Sequence, residues 1–241
     1  MHLRLDRIDS TNAFVLAEAD ELPDLCLVSA REQTAGRGRQ GRSWIASPGD
    51  CLTFTLLVKT PGLDPLLLPT AVWPVAVSLA RTLESRGLKP TVKWPNDLLG
   101  AHGKLGGILI EGILRRGAIE GLAVGVGLNI KAAPVIPGRA VSCIQDELGG
   151  LEVEMDGLLD ELADDLRSAF VNWRVSPRAR ELLRTEWIER IGLVGSEVEL
   201  IDQGQLLSRG EVTGFDEVGG LILRTPQGLE TFRCGEVSLR L

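Results

Sequence analysis

The chain contains no tyrosine and only two histidines, His2 and His102. Mechanisms built on a histidine base therefore have little to work with. Its four cysteines, Cys26, Cys51, Cys143 and Cys234, are far apart, with no C-x-x-C pair and no nearby histidine cluster. That spacing argues against metal or redox motifs and for buried free thiols. No apolar run approaches the length of a membrane span, and the N-terminus MHLRLDRIDS lacks the apolar centre of a signal peptide. The expected setting is the cytoplasm, with no membrane partner. Internal repeats and low-complexity tracts are absent as well. The net charge of −7 argues against a general nucleic-acid binder.

What positive charge there is gathers in one place. Residues 31 to 44 hold Arg31, Arg37, Arg39 and Arg42 against Glu32 alone, which favours a small anionic ligand over a long polyanion. Within that stretch, GRGRQGRSW (36–44) interleaves three arginines with three glycines. Gly36, Gly38 and Gly41 permit positive φ and a close approach of backbone to ligand. Arg37, Arg39 and Arg42 offer planar charged forks suited to carboxylate and phosphate oxygens. Ordering such a glycine-rich loop costs entropy, so a mobile anion-binding loop that orders over its ligand is expected.

Two familiar motifs can be written over the same letters. Gly36, Gly38 and Gly41 satisfy the dinucleotide fingerprint, and Gly36, Gly41, Arg42 and Ser43 imitate a P-loop with arginine in place of lysine. Both require a helix to start at the last glycine, with its N-terminus facing the phosphates. Here the chain continues from Trp44 to Asp50 in loop chemistry, and Leu52–Val58 then reads as a strand. Both motifs fail that test.

The pattern along the chain alternates strands and helices. Strands are expected at Leu3–Ile8, Leu25–Ala30, Leu52–Val58, Thr91–Trp94, Gly106–Leu114 and Ile119–Leu128. Helices are expected from Thr11 to about Ala19 behind a Ser10 cap, over Thr70–Arg86, around Ile144–Leu148, from Asp156 to Trp173 and from Pro177 to Arg190. Beyond Ile191 the texture changes to short strands at Val198–Ile201, Leu206–Phe215, Gly220–Arg224 and Glu230–Phe232, the signature of a small barrel. The expected division is residues 1–190 and 191–241.

Five polar clusters sit at strand ends or turns, where α+β proteins place ligand sites. They are Ser10-Thr11-Asn12, the run from Gln33 to Trp44, KWPND (93–97), GKLGG (103–107) and GVGLN (125–129). Singly they read as a helix cap, a loop, a turn, a surface lysine and a strand end. Their order is more specific. STN, then QTAGRGRQGRSW, KWPNDL, KLGGIL and GVGLNI closely resembles the catalytic domain of biotin protein ligases over residues 10 to 130.

The resemblance implies a class II synthetase-like mixed sheet flanked by helices, followed by an SH3-like barrel. It implies an ATP-dependent ligase that forms biotinyl-5′-adenylate and transfers biotin to a lysine of a biotin carboxyl carrier domain. Ser10, Thr11, Asn12 and Gln33 would then face the biotin head group. Arg37, Gly38 and Arg39 would fold over carboxylate and α-phosphate, and Gly107 would let the backbone approach biotin. Lys104 would bridge carboxylate and phosphate, and Asp97 would orient Lys104 or accept the proton of the incoming lysine. Arg42 and Trp44 would complete the nucleotide side, Trp44 alternatively serving as an anchor, and Asn129 would meet the adenine beneath the loop Lys131–Ala140. Mg²⁺ is expected with ATP, although no carboxylate cluster identifies its protein ligands. Some members carry an N-terminal helix-turn-helix domain that represses transcription; the STN block at residue 10 leaves no room for one, so no DNA partner is expected. Homodimerisation, common in the family, is fixed by no residue pattern. Two rivals stay open at this point: a lipoate or octanoate ligase or transferase of the same superfamily, and a non-catalytic sensor that holds biotinyl-adenylate.

Overall fold

The computed structural model describes residues 1–202, 204–233 and, for the backbone alone, 236–239. Cys234 lies outside the described residues. The N-terminal strands are β1 (His2–Ile8), β2 (Leu27–Gln33), β3 (Cys51–Lys59), β4 (Thr91–Lys93), β5 (Asp97–Leu99), β6 (Lys104–Arg115) and β7 (Ala118–Asn129). They form one sheet in the order β1-β2-β3-β7-β6-β5-β4, in which β1 and β2 are parallel and the other neighbours antiparallel.

β2 runs three residues further than expected because its pairing with β1 continues to Ile8↔Gln33, whereas Leu25 sits in a left-handed turn with φ 57°. β5 falls where a turn was expected. Its three residues pair with β4 and β6 and set the KWPND block against the start of β6.

Helices cover both faces. α1 (Thr11–Glu18), capped by the Ser10 hydroxyl, packs Val15 against Val28, Leu57 and Ala123 on one face. On the other face lie α2 (Val72–Glu84), α4 (Met155–Val175) and α5 (Pro177–Ile191), with the short α3 (Ile144–Glu147) nearby. α2 begins later than expected because Pro65–Ala71, which contains Pro69, forms a 3-10 stretch. Pro65–Glu84 together is long and apolar enough to cross a membrane by length and composition, contrary to the sequence expectation. However, 67% of its most apolar window is buried in the protein.

Period-two alternation decides which face of the sheet carries chemistry. In β3, Phe54, Leu56 and Val58 enter the core beneath α2 and α4, while Thr53, Thr55 and Leu57 take the alternate positions. In β7, Leu122, Val124, Val126 and Leu128 enter the same core, and the alternate positions are Gly121, Ala123, Gly125 and Gly127. Large side chains thus build one face, and the other is mostly small or polar apart from residues such as Leu57 that pack under α1.

The C-terminal strands β8 (Glu197–Asp202), β9 (Gln205–Phe215), β10 (Leu221–Thr225), β11 (Gly228–Phe232) and β12 (Glu236–Leu239) form an antiparallel sheet in the order β11-β10-β9-β8-β12. Its core continues into the larger one. Trp187 of α5 lies between Trp73 of α2 and Phe215 of β9, with ring centroids 6.1 and 5.2 Å away.

Candidate functional site

The small-residue face of β6 and β7, the N-terminus of α1 and the loops after β2, β4 and β7 enclose a cavity of about 620 Å³. Every site residue expected from the sequence lines it, from Ser10 through Arg42 and Trp44 to Asn129. Two glycines explain why the floor is small. A Cβ on Gly125 would stand 2.1 Å from Asn12 Oδ1, and one on Gly127 would stand 2.6 Å from the Trp44 ring.

The arginine loop is ordered by its own backbone. Trp44 N–H donates to Gly36 O at 2.9 Å and Gly38 N–H to Arg42 O at 2.7 Å, closing residues 36–44 on themselves. All three glycines of the loop are free to take positive φ. Gly41 alone does so (72°), alongside Gln40 (56°). Gly36 serves the closure instead, since a Cβ there would meet Trp44 O at 2.7 Å. No helix follows Gly41, consistent with rejecting both phosphate-loop motifs.

The arginines differ in their anchorage. Arg37 pairs with Glu111 of β6 at 3.1 Å. Arg39 donates to Asn96 Oδ1 at 3.0 Å, and Asn96 Nδ2 donates to Ile108 O at 2.7 Å, so the KWPND turn ties this arginine to β6. Arg42 donates to Gln40 Oε1 at 2.8 Å, and Gln40 Nε2 reaches Asp202 of β8 at 2.7 Å, linking the loop to the C-terminal sheet.

Lys104 opens β6, with Nζ 2.6 Å from Asp97 Oδ1 and 6.0 Å from the Trp44 ring centroid. Its backbone is held on both sides: its N–H donates to Ala140 O, and its carbonyl accepts from Ser142 N and Asn129 Nδ2. Asn129 is 1% exposed and its amide also donates to Ser142 O, so its side chain braces Lys104 against the segment that follows β7. Cys51 donates from Sγ to Asn129 Oδ1 at 3.5 Å. Burial pushes the Cys51 thiol up to about 12, with neighbouring Asp50 adding to the effect, so it supplies no thiolate nucleophile at neutral pH.

Around the N-terminus of α1, neutral polar groups converge. Thr11 N–H donates to Gln33 Oε1 at 2.8 Å, and Thr55 Oγ1 lies 2.8 Å from Thr11 Oγ1 and 2.6 Å from Asn12 Oδ1. Sequence reasoning missed Thr55, Asn96 and Glu111. The signal for Thr55 and Glu111 was present: each is a polar residue at the site-face phase of a mostly apolar strand. Among the described residues no group of three or more His, Cys, Asp or Glu side chains could hold a metal ion.

The biotin/lipoate A/B protein ligase family model matches residues 5–129, and the biotin protein ligase C-terminal domain model matches residues 193–240. The chain belongs to this family. It is a ligase of the biotin protein ligase type, as the second matched domain marks. A biotin--[acetyl-CoA-carboxylase] ligase of Paracoccus denitrificans is 33% identical, covering 97% of this chain and 98% of the relative. The bifunctional ligase/repressor BirA of Escherichia coli (strain K12) is 30% identical, covering 97% of this chain and 72% of the relative. Among solved structures, the biotin protein ligase from Aquifex aeolicus in complex with biotin and ATP superposes with a TM-score of 0.81. It is 23% identical and covers 99% and 98% of the two chains, a likeness of fold.

Proposed function

We propose that this ligase activates biotin as biotinyl-5′-adenylate and passes the biotinyl group to a lysine of a biotin carboxyl carrier domain. The observation that carries the reading is that one cavity gathers two kinds of group. Neutral donors and acceptors from Thr11, Asn12 and Gln33 line it together with the cations Arg37, Arg39 and Lys104. Biotin needs both, since it carries a neutral ureido ring and a carboxylate. The Aquifex aeolicus structure with biotin and ATP supports the choice of ligands.

In the first step a carboxylate oxygen of biotin attacks the α-phosphorus of ATP. The new O–P bond forms as the bond to pyrophosphate breaks, and pyrophosphate leaves. Lys104 faces the charge that develops between the two anions, and the 2.6 Å contact makes Asp97 the group that orients it. Arg37 and Arg39 close over the mixed anhydride and keep water from it. Arg42 and Trp44 border the nucleotide, and Asn129 acts through the Lys104 backbone. In the second step the neutral amine of the carrier lysine attacks the carbonyl. The C–N bond forms, AMP departs with its oxygen, and the amine proton passes to solvent.

The described residues do not assemble a magnesium site, and no step here is routed through that ion. For the carrier, the sheet offers a place to dock. β5 pairs with β6 only as far as Gly107, so beyond Ile108 that side of β6 has no strand neighbour among the described residues. The division near residue 191 is supported by Gly192, whose left-handed conformation ends α5. A cytoplasmic setting fits the free thiols of Cys26, Cys51 and Cys143.

Pyrophosphate exchange with biotin and with lipoate as alternative acids tests the reading. Exchange that requires biotin is expected, and exchange with lipoate only would overturn it.

A further inference from the structure

We propose that Glu111 is a positioning residue that sets which atoms of the head-group pocket donate hydrogen bonds and which accept them. This rests on the biotin reading above. Glu111 belongs to none of the five sequence blocks, yet its carboxylate joins two of them. Oε1 pairs with Arg37 at 3.1 Å, and Oε2 accepts from Asn12 Nδ2 at 2.9 Å.

The direction of the rest follows from counting hydrogens. A carboxylate only accepts, as does the Leu109 carbonyl 3.2 Å from the same Asn12 nitrogen. Asn12 must therefore turn its NH₂ toward β6 and its Oδ1 toward β3. Thr55 Oγ1 lies 2.6 Å from that Oδ1, so the single Thr55 hydroxyl hydrogen is directed there. At its 2.8 Å contact with Thr11, Thr55 can then only accept, and Thr11 donates to it. The third contact, Thr11 Oγ1 to Gln33 Oε1 at 3.1 Å, gets no hydroxyl hydrogen. Gln33 Oε1 is satisfied instead by the Thr11 main-chain N–H at 2.8 Å.

The outcome is a pocket of defined polarity. Thr11 Oγ1 keeps lone pairs for a ligand N–H, and Gln33, with its oxygen engaged, presents Nε2 to a ligand carbonyl. A cyclic urea carries that complement: N–H donors flanking one C=O acceptor. The space is fixed as well, because any side chain at Gly125 would collide with Asn12 Oδ1. The same carboxylate holds Arg37, so one residue contributes both to the polarity of the head-group end and to the resting place of one clasp arginine.

Glu111→Gln keeps the shape but introduces a donor, so Asn12 can reverse and the relay behind it loses its direction. The probes are biotin and 2-iminobiotin, in which a protonated guanidinium N–H donor replaces the ureido carbonyl acceptor, titrated calorimetrically into the full chain. The wild type is expected to prefer biotin. In Glu111→Gln, biotin should weaken by about ten-fold, the scale of one lost buried hydrogen bond, while 2-iminobiotin changes by less than about three-fold. Thr55→Val, which removes the central hydrogen while preserving volume, should narrow the preference in the same sense. It also decides the matter if Glu111→Gln fails to fold. An unchanged preference in the folded variants would overturn the proposal. So would equal weakening of both ligands, which is the signature of a merely structural role. A wild type that binds no biotin would overturn the functional reading itself; wild-type binding with an unchanged preference in the variants overturns the Glu111 role alone.

Discussion

Lys104 is fixed at four points: Asp97 holds its ammonium group, and Ala140, Ser142 and Asn129 hold its backbone. Preorganised charge of this kind costs little to arrange when the transition state forms. Lys104→Ala should lower biotin-dependent pyrophosphate exchange by roughly 10²–10³-fold, the usual range for losing one such group. Arg39 depends on Asn96 in a comparable way. Asn96→Ala and Arg39→Gly should both let the adenylate escape, seen as biotin appearing on bystander proteins in the reaction. Loss of activity without that stray labelling would contradict the retention role. At this scale the sequence was legible where polar residues clustered at turns, and opaque where single polar residues sat inside apolar strands. Glu111 in GILIEGIL and Thr55 in LTFTLLV look like interruptions until the strand phase shows which face they take. Asn96 was hidden differently, because a Pro-Asn-Asp run is ordinary turn chemistry and its partners are twelve or more residues away in other elements.

Among the elements, β7 shows how a strand can serve core and site together. Its alternation of leucine and valine with glycine and alanine puts bulk under α2 and α4 and leaves room above for Asn12 and Trp44. Gly127→Ala should drive the Trp44 ring from its seat, with an overpacking cost of about 1–3 kcal/mol. The expected result is weaker biotin and ATP binding by calorimetry, with a melting transition that stays cooperative. Long elements were legible because helical and strand periods repeat enough to be seen. β5 and β12 span three and four residues, too few to show alternation. β5 was further masked by Pro95, two residues before its start. The closure of the arginine loop could not be read either, since it depends on Gly36 meeting Trp44 across eight residues rather than on any local signal.

For the whole molecule, aromatic and ionic contacts join α5 to its neighbours. Arg190 bonds Glu84 of α2 and Glu186 of its own helix, and Arg81 of α2 also pairs with Glu186. The Arg190 hydrogen bond holds the Glu84 carboxyl below its ordinary 4.5. For Glu186 burial pushes upward, but the bonds from Arg81 and Arg190 outweigh it and its value is also lowered. Depressed carboxylates contribute stability above the unfolded value and lose it as pH falls through the folded one. The melting temperature should therefore hold steady down to about pH 4.5 and fall below it. Arg190→Ala should remove part of that acid dependence in a calorimetric pH series. Fold class and family were legible in the sequence because five blocks occur in a fixed order. The contact between the loop and the C-terminal sheet was not, since Gln40 and Asp202 are 162 residues apart.

The most direct test is mass spectrometry of a biotin carboxyl carrier fragment incubated with this protein, biotin, ATP and Mg²⁺. A single biotinyl group on one carrier lysine is predicted, dependent on ATP and severely slowed by Lys104→Ala. Transfer of lipoate in place of biotin, or biotin transfer undiminished in Lys104→Ala, would contradict the proposed mechanism.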